Sequence, residues 1–376
     1  MTTTVRHYNS EMGGLQKLTS SNGSLIDVLK ACLVDGFSDT SIDSMTFALG
    51  LVTAVVSAGH PFSVDQVIDV TGAGETEYNG TWIVESITAS DVVFAITGTP
   101  VPAATGSISI KASPAGWVKE YEDLGANKIV LKSPEVTGSG CLIRVIEDGT
   151  SGVDVAKVQI YESMTDIDSG VMIREGYISK RYSTGVDLGM FVLCANRGIM
   201  HLFTGNNTPL AGSDHHVYSH TILGDSKSYL DGDTGHCTMQ ISNLSGAYLR
   251  ANIRTGGLTV SKALNHIEVN ETYEVVTSRS NPNTSVTTSE ELYNVVDGRV
   301  FFDPLYLYHT TEKHIRAKLQ GLFLASTRRG LGFTNKEIVV IEGVKMLIVK
   351  TGSGNSSVNQ TGVNTIMLGV EIGKDW

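Results

Sequence analysis

The chain has 376 residues, of which 41% are hydrophobic and only 18% charged, and its formal net charge is −11. This acidic balance excludes the nucleic-acid backbone as a main partner, because that contact needs clustered Lys and Arg, and Arg328-Arg329 is an isolated pair. The length is enough to bury a large core without staples, in two to three domains or in one all-β domain carrying an addition.

Forty glycines against eight prolines, with abundant Ser, Thr and Val, point to strands and tight turns. Residues 1–22 are polar, lack the apolar segment of a signal peptide, and are predicted to form an arm or extended lead-in. Leu25, Ile26, Val28, Leu29 and Leu33 fall near helical spacing, which predicts a short amphipathic helix from Ser24 to Val34. Ser24 would be its N-cap and Asp35-Gly36 its end.

A β-rich block from Phe47 to Lys111 then interrupts the chain. Its alternation predicts five strands: Phe47–Val56, Phe62–Val70, Thr81–Thr88, Val92–Ile96 and a last one around Ile108 and Ile110. Tyr78-Asn79-Gly80 is a strong signal for a tight turn, since Asn-Gly tolerates positive φ. The longest apolar stretch, Phe47–Val56, is too short to span a bilayer and contains Gly50 and Thr53, so no membrane partner is expected. Without the block, the Gly23–Leu33 motif would run almost directly into Ser113-Pro114-Ala115-Gly116-Trp117. The expected organisation is a discontinuous body, 1–45 with 112–376, and an inserted module, 46–111.

In the body, strands are predicted over Lys128–Lys132, Cys141–Glu147, Ala156–Tyr161, Met190–Ala195, His216–Leu223, Thr238–Ile241 and Thr365–Ile372. Glu312–Leu319 carries the only later helical hint, while Ser278–Ser289 and Gly352–Asn359 read as exposed loops. No repeat of fixed period occurs, which speaks against a propeller or solenoid. The fold class is mainly β: a large sandwich- or barrel-like body with one short N-terminal helix and a small inserted β-module of five strands.

Chemistry is sparsely signalled. Cys32, Cys141, Cys194 and Cys237 are far apart and form no CxxC pair, and their apolar neighbours suggest buried free thiols in a chain made in a reducing cytoplasm. The densest cluster is Ser213-Asp214-His215-His216-Val217-Tyr218-Ser219-His220. On a strand, His216 and His220 would stand about 13 Å apart, too far to share a metal without ligands such as His236 or Asp225. Asp231-Gly232-Asp233-Thr234-Gly235 departs from the calcium-loop pattern at Gly235 and His236 and reads as a turn. Gly138-Ser139-Gly140 and Gly352-Ser353-Gly354 are turns, not nucleophile elbows. Tyr161–Gly170 gathers Glu162, Asp166 and Asp168, a conceivable glycosidase pair but more simply a solvated strand end. No catalytic, cofactor-binding or metal-ligating residue is assigned, no cofactor is expected, and nothing demands an enzyme.

Several segments together resemble a family of tailed-bacteriophage virion structural proteins. They are Gly23–Phe37 (GSLIDVLKACLVDGF), Ala115-Gly116-Trp117, Tyr161–Gly170 (YESMTDIDSG), Gly224–Asp233 (GDSKSYLDGD), Ile315–Leu322 and the closing Asp375-Trp376. Separately, His60–Gly72, Glu77–Val84 and Pro102–Ile108 resemble a small β-module common in phage tail proteins. The match is looser after Cys194-Ala195-Asn196-Arg197, where Gly198–Phe203 replaces an expected aromatic pair.

The resemblance implies a non-enzymatic structural component of the virion, in the tail, baseplate or neck, assembled in the host bacterial cytoplasm. It would form a homo-oligomer and pack against other virion proteins, with a low-charge surface suited to buried contacts. A capsid decoration or receptor-binding fibre protein, which could meet the host surface, is the alternative, and a glycan depolymerase is a more distant one. The family offers no catalytic residue to transfer.

Overall fold

A computed structural model describes residues 4–149, 154–180, 189–206, 217–229, 236–241, 258–263, 271–277, 302–309, 313–325, 333–352, 365–374 and 376. The two long loops expected at 278–289 and 353–359 lie outside the described residues, as do His216 and the Asp231–Gly235 turn. The architecture is mainly β, with sheets that curl into partial barrels and one short helix.

The largest sheet is antiparallel apart from one short parallel bridge. It begins at Arg6–Asn9 and crosses Gly189–Ala195, Ile199–Asn206 and Val217–Ser228. It continues through the later strands to Phe302–His309, His314–Ala325, Thr365–Glu371, Val344–Gly352 and the edge strand Ile338–Ile341. It also curls back on itself: Lys227 and Ser228 pair with Lys318 and Ala317, and Val217 pairs with Thr351.

The strand Gly189–Ala195 shows why the body has two cores. Every one of its residues is buried, the signature of a strand covered on both faces. Phe191, Leu193 and Ala195 face one core, and Met190, Val192 and Cys194 face the other. The second core is closed by the C-terminal strands through Leu305, Leu319, Leu347 and Val370.

The first core is covered by a five-stranded meander and the helix. Val118–Asp123, Lys128–Lys132, Leu142–Ile146, Val155–Met164 and Gly170–Ser179 pair in chain order, each antiparallel to the next. The helix runs over Ser24–Leu29 and continues as a π-helical turn, Lys30–Asp35, ending at Gly36 with φ 76°. Its N-cap is Gly23, at φ 88°, not Ser24. The Ser24 hydroxyl instead bonds the backbone of Thr19, accepting from its N–H and donating to its carbonyl. Leu25, Val28, Leu29 and Leu33 lie fully buried against Ile129, Leu131 and Val158. Fully burying each such side chain contributes about 1.5–3 kcal/mol.

Other sequence expectations also need correction. The described part of 1–22 is no arm: Tyr8, Met12, Leu15 and Leu18 are core, and Arg6–Asn9 is a sheet strand. Their apolar residues are too widely spaced to announce an element. The helical hint over Glu312–Leu319 is overturned from His314 on: His314–Ala325 is a strand, with Gly321 at φ 68°. Phe47–Val56 is not one strand but a hairpin, Ser44–Ala48 and Leu51–Val55, turning at Leu49-Gly50.

The inserted module is a seven-stranded curled sheet. The five expected regions supply strands, the first divides into the hairpin, and Phe37–Ser41 joins before the boundary read at 46. The order is Phe37–Ser41, Gly106–Ala112, Val67–Ala73, Gly80–Ile87, Asp91–Ala95, Leu51–Val55, Ser44–Ala48. The two outer strands are consecutive in the chain. Ile42 N–H donates to the Ile108 carbonyl and Ala104 N–H to the Met45 carbonyl, so the sheet closes on its own core of Val52, Ile68, Val84, Phe94 and Ile110. Asn79-Gly80 is not a two-residue turn. Asn79 sits at the end of a longer loop, and its side chain accepts from the Ala73 N–H at 3.0 Å and donates to the Ala73 carbonyl at 2.8 Å.

The module meets the body at one end. Phe37 and Ala112 pair there and belong to the first body core. Tyr8 Oη donates to the Ser113 carbonyl at 2.7 Å, Ser38 Oγ donates to the Gly13 carbonyl at 2.7 Å, and Lys345 forms an ion pair with Asp65. The hairpin tip at Leu49-Gly50 and the 96–105 loop lie at the opposite end, as the strand registers require.

Candidate functional site

The acidic stretch Tyr161–Gly170 forms the hairpin between the last two meander strands. Asp166 accepts the N–H of Asp168 at 2.8 Å, and this bond, with that of Ser169, holds its carboxyl below the usual range. A general acid needs the opposite shift. Asp168 is paired with Lys128 at 2.6 Å and with Arg144 at 3.2 Å. Glu162 is exposed.

Arg144 organises the face under this hairpin. Its guanidinium donates to Gln159 Oε1 at 2.9 and 2.6 Å and to the Ile167 carbonyl at 2.6 Å, and it lies 5.0 Å over the Tyr161 ring. Gln159 Nε2 donates to Glu175 at 2.8 Å, whose carboxyl is lowered first by Lys157 and then by Gln159. The arrangement locks the hairpin to the sheet through a satisfied polar ladder.

The histidine-rich segment divides. Of its members, His220 is described: it is buried, and stacks at 4.2 Å and 5° on Phe203, its cross-strand partner. The side chains of Tyr218 and His236 lie outside the described residues. His201 approaches His220 to 5.7 Å and meets the Trp376 ring edge-on at 5.1 Å. Its Nε2 donates to the Gln320 carbonyl at 2.9 Å, while burial lowers its pKa to about 4. Neither ring nitrogen of His220 has a hydrogen-bond partner among the described residues, and burial drives its pKa well down. No group of three or more His, Cys, Asp or Glu among the described residues is arranged to hold a metal.

Asp225 is nearly buried and accepts the Ser139 N–H at 2.9 Å. Burial raises its pKa, opposed by the bonds from Ser139. Gly138 lies so close that a Cβ there would stand 2.3 Å from the Asp225 carboxylate. The Gly138-Ser139-Gly140 turn is therefore the seat of Asp225. Cys32, Cys141 and Cys194 are buried, and burial raises the pKa of Cys32 and Cys194, which makes those two poor nucleophiles.

One surface stands apart. At the free end of the inserted module, Leu49 is 103% exposed and Val101 56% exposed. Between Phe37 and Ile110 the chain has eight acidic residues and no Lys or Arg. That signal is legible in the sequence but hidden in a whole-chain net charge.

No family model and no curated protein matches this chain. Among solved structures, the phage phi92 endosialidase matches at 11% identity with a TM-score of 0.17, covering 90% of this chain and 52% of that one. This chain spans about half the length of that protein. A likeness at that score carries no argument about fold or activity. No helix among the described residues is long and apolar enough to cross a membrane.

Proposed function

We propose that this chain is a non-enzymatic structural subunit of a tailed-phage virion, present in several copies in the tail, baseplate or neck. The resemblance of its sequence segments to that family supports the class. The observation that carries the structural reading is the use of the carboxylates with the best claim to catalysis: Asp166 closes a hairpin and Asp168 neutralises Lys128 and Arg144. The body is a doubly covered sheet, and the inserted module stands out from it with bare apolar side chains at its free end, an arrangement suited to packing against neighbours.

Quantitative mass spectrometry of purified particles tests this. A small, fixed copy number supports the tail, baseplate or neck. Hundreds of copies would move the chain to the tail tube or capsid, and its absence from the particle would sink the reading. Clearing of host polysaccharide by the purified protein, abolished by Asp166→Asn, would instead favour a depolymerase.

A further inference from the structure

The tip of the module breaks two local rules at once. Leu49 and Gly50 form the two-residue turn between Ala48 and Leu51, with φ of 53° and 87°. A turn of this kind favours Asn-Gly, because a left-handed backbone strains an ordinary L-residue. Leu49 therefore holds a strained conformation and projects its whole side chain into water. A Cβ on Gly50 would meet nothing within 4 Å, so the tip stands clear of the rest of the chain. A local cost without local compensation is expected where a residue serves a contact.

The neighbouring loop extends this surface and is held firmly. Phe47 N–H donates to the Pro102 carbonyl at 2.8 Å, Thr46 bridges to Ala103, and Tyr78 Oη donates to the Val101 carbonyl at 2.5 Å. Glu75 accepts from Thr105 N–H at 2.7 Å and Oγ1 at 2.9 Å. Leu49, Leu51 and Val101 are thus preorganised on one rim, which lowers the ordering cost of binding.

Charge identifies the kind of partner. Of the module's eight acidic residues, Asp65, at the end joined to the body, has an ion pair among the described residues. Glu77 on the adjoining turn is exposed, and the module's one Lys, Lys111, lies at the end joined to the body, across from Asp69 and away from the rim. Such a surface repels a second acidic module and nucleic acid, and it is complemented by cations placed around an apolar recess.

We propose that the Leu49–Val101 rim docks into an apolar recess bordered by Lys and Arg on a different protein of the same particle. This rests on the structural-subunit reading. Virions assembled with the full chain carrying a photo-crosslinking residue at position 49, and separately at the exposed body residue Val136, provide the test. Position 49 should crosslink to one segment of one other protein, with Lys or Arg beside the attachment point, and position 136 should not label that segment. Leu49→Asn should raise the thermal midpoint of the free chain, since Asn suits the turn, yet cut incorporation about tenfold, the loss of one anchoring side chain. Crosslinks to a second copy of this chain, to nucleic acid or to nothing, in particles that contain it, would overturn the docking alone. So would unchanged incorporation of Leu49→Asn. Absence of the chain from the particles would overturn the structural reading as well.

Discussion

Lys180 Nζ lies 2.7 Å from Glu147 Oε1, and both side chains are buried beneath the start of the only described α-helix. The other carboxylate oxygen, Oε2, accepts the Ile26 N–H at 2.9 Å, and Lys180 also donates to the Ser21 carbonyl at 2.9 Å. An anion thus meets the free N–H groups of the helix while a cation neutralises it from the meander side. The pair ties the helix to the ends of Leu142–Ile146 and Gly170–Ser179.

Breaking this pair should be costly. Lys180→Met leaves Glu147 buried without its cation, and Glu147→Gln leaves Lys180 in the same state, each at about 3–5 kcal/mol. The double variant Glu147→Gln/Lys180→Met should lose less than the sum, measured by urea unfolding. A double-variant loss equal to the sum would show that the two charges do not couple.

Acid should weaken the fold through its buried histidines. His7 and His201 are both held near pKa 4 by burial, against 6.5 for a free imidazole. The unfolded chain therefore takes up protons below pH 6.5 that the native chain refuses until about pH 4. Stability is complete above that window and falls as pH drops through it, by about 3 kcal/mol for each of the two. Urea midpoints measured from pH 7 to pH 4.5 should fall steadily; a flat profile would contradict neutral, buried rings.

His220→Phe should stabilise the protein. The ring already stacks on Phe203 like an aromatic hydrocarbon, while its two nitrogens lie buried and unpartnered among the described residues. Removing two such atoms should gain about 1–3 kcal/mol at neutral pH. A loss in the urea midpoint would mean that the imidazole has a polar partner.

Two glycines of the module should respond differently to alanine. Gly72 (φ 85°) marks the register shift between Thr71 and Ala73, and a Cβ there would sit 2.0 Å from the Ser107 carbonyl oxygen. Gly72→Ala should unfold the module, read as loss of the slow amide exchange of Val67–Ala73. Gly50→Ala shares a positive φ but meets open space, so its cost should stay near 1 kcal/mol.

The module should be separable. Phe37 and Ala112 are cross-strand partners, so a two-residue Gly-Gly turn between them can replace everything in between. The shortened chain should melt in a single cooperative transition, and a product that only aggregates would show that the module belongs to the body's core.

Much of the architecture follows from local patterning. The strand Lys128–Lys132 and the all-apolar run Met190–Ala195 are legible because alternation or continuous burial writes itself into residue order. The Leu49-Gly50 turn is not legible, because Leu is no turn former. The role of residues 5–18 is hidden because their apolar side chains are sparse and find partners far along the chain, as Tyr8 finds Ser113.

By itself the sequence determined the β class, the short helix and the absence of any Lys or Arg from Ala31 to Ile110. These are properties of composition and near-neighbour spacing. Only the tertiary structure decided that Glu147 and Lys180 meet under a helix, that Asp166 closes a hairpin and Asp168 neutralises Lys128, and that Leu49 stands bare at the free end of the module. Each depends on contacts or exposure set by strand pairing across long separations, and no local pattern encodes the register that brings those residues together.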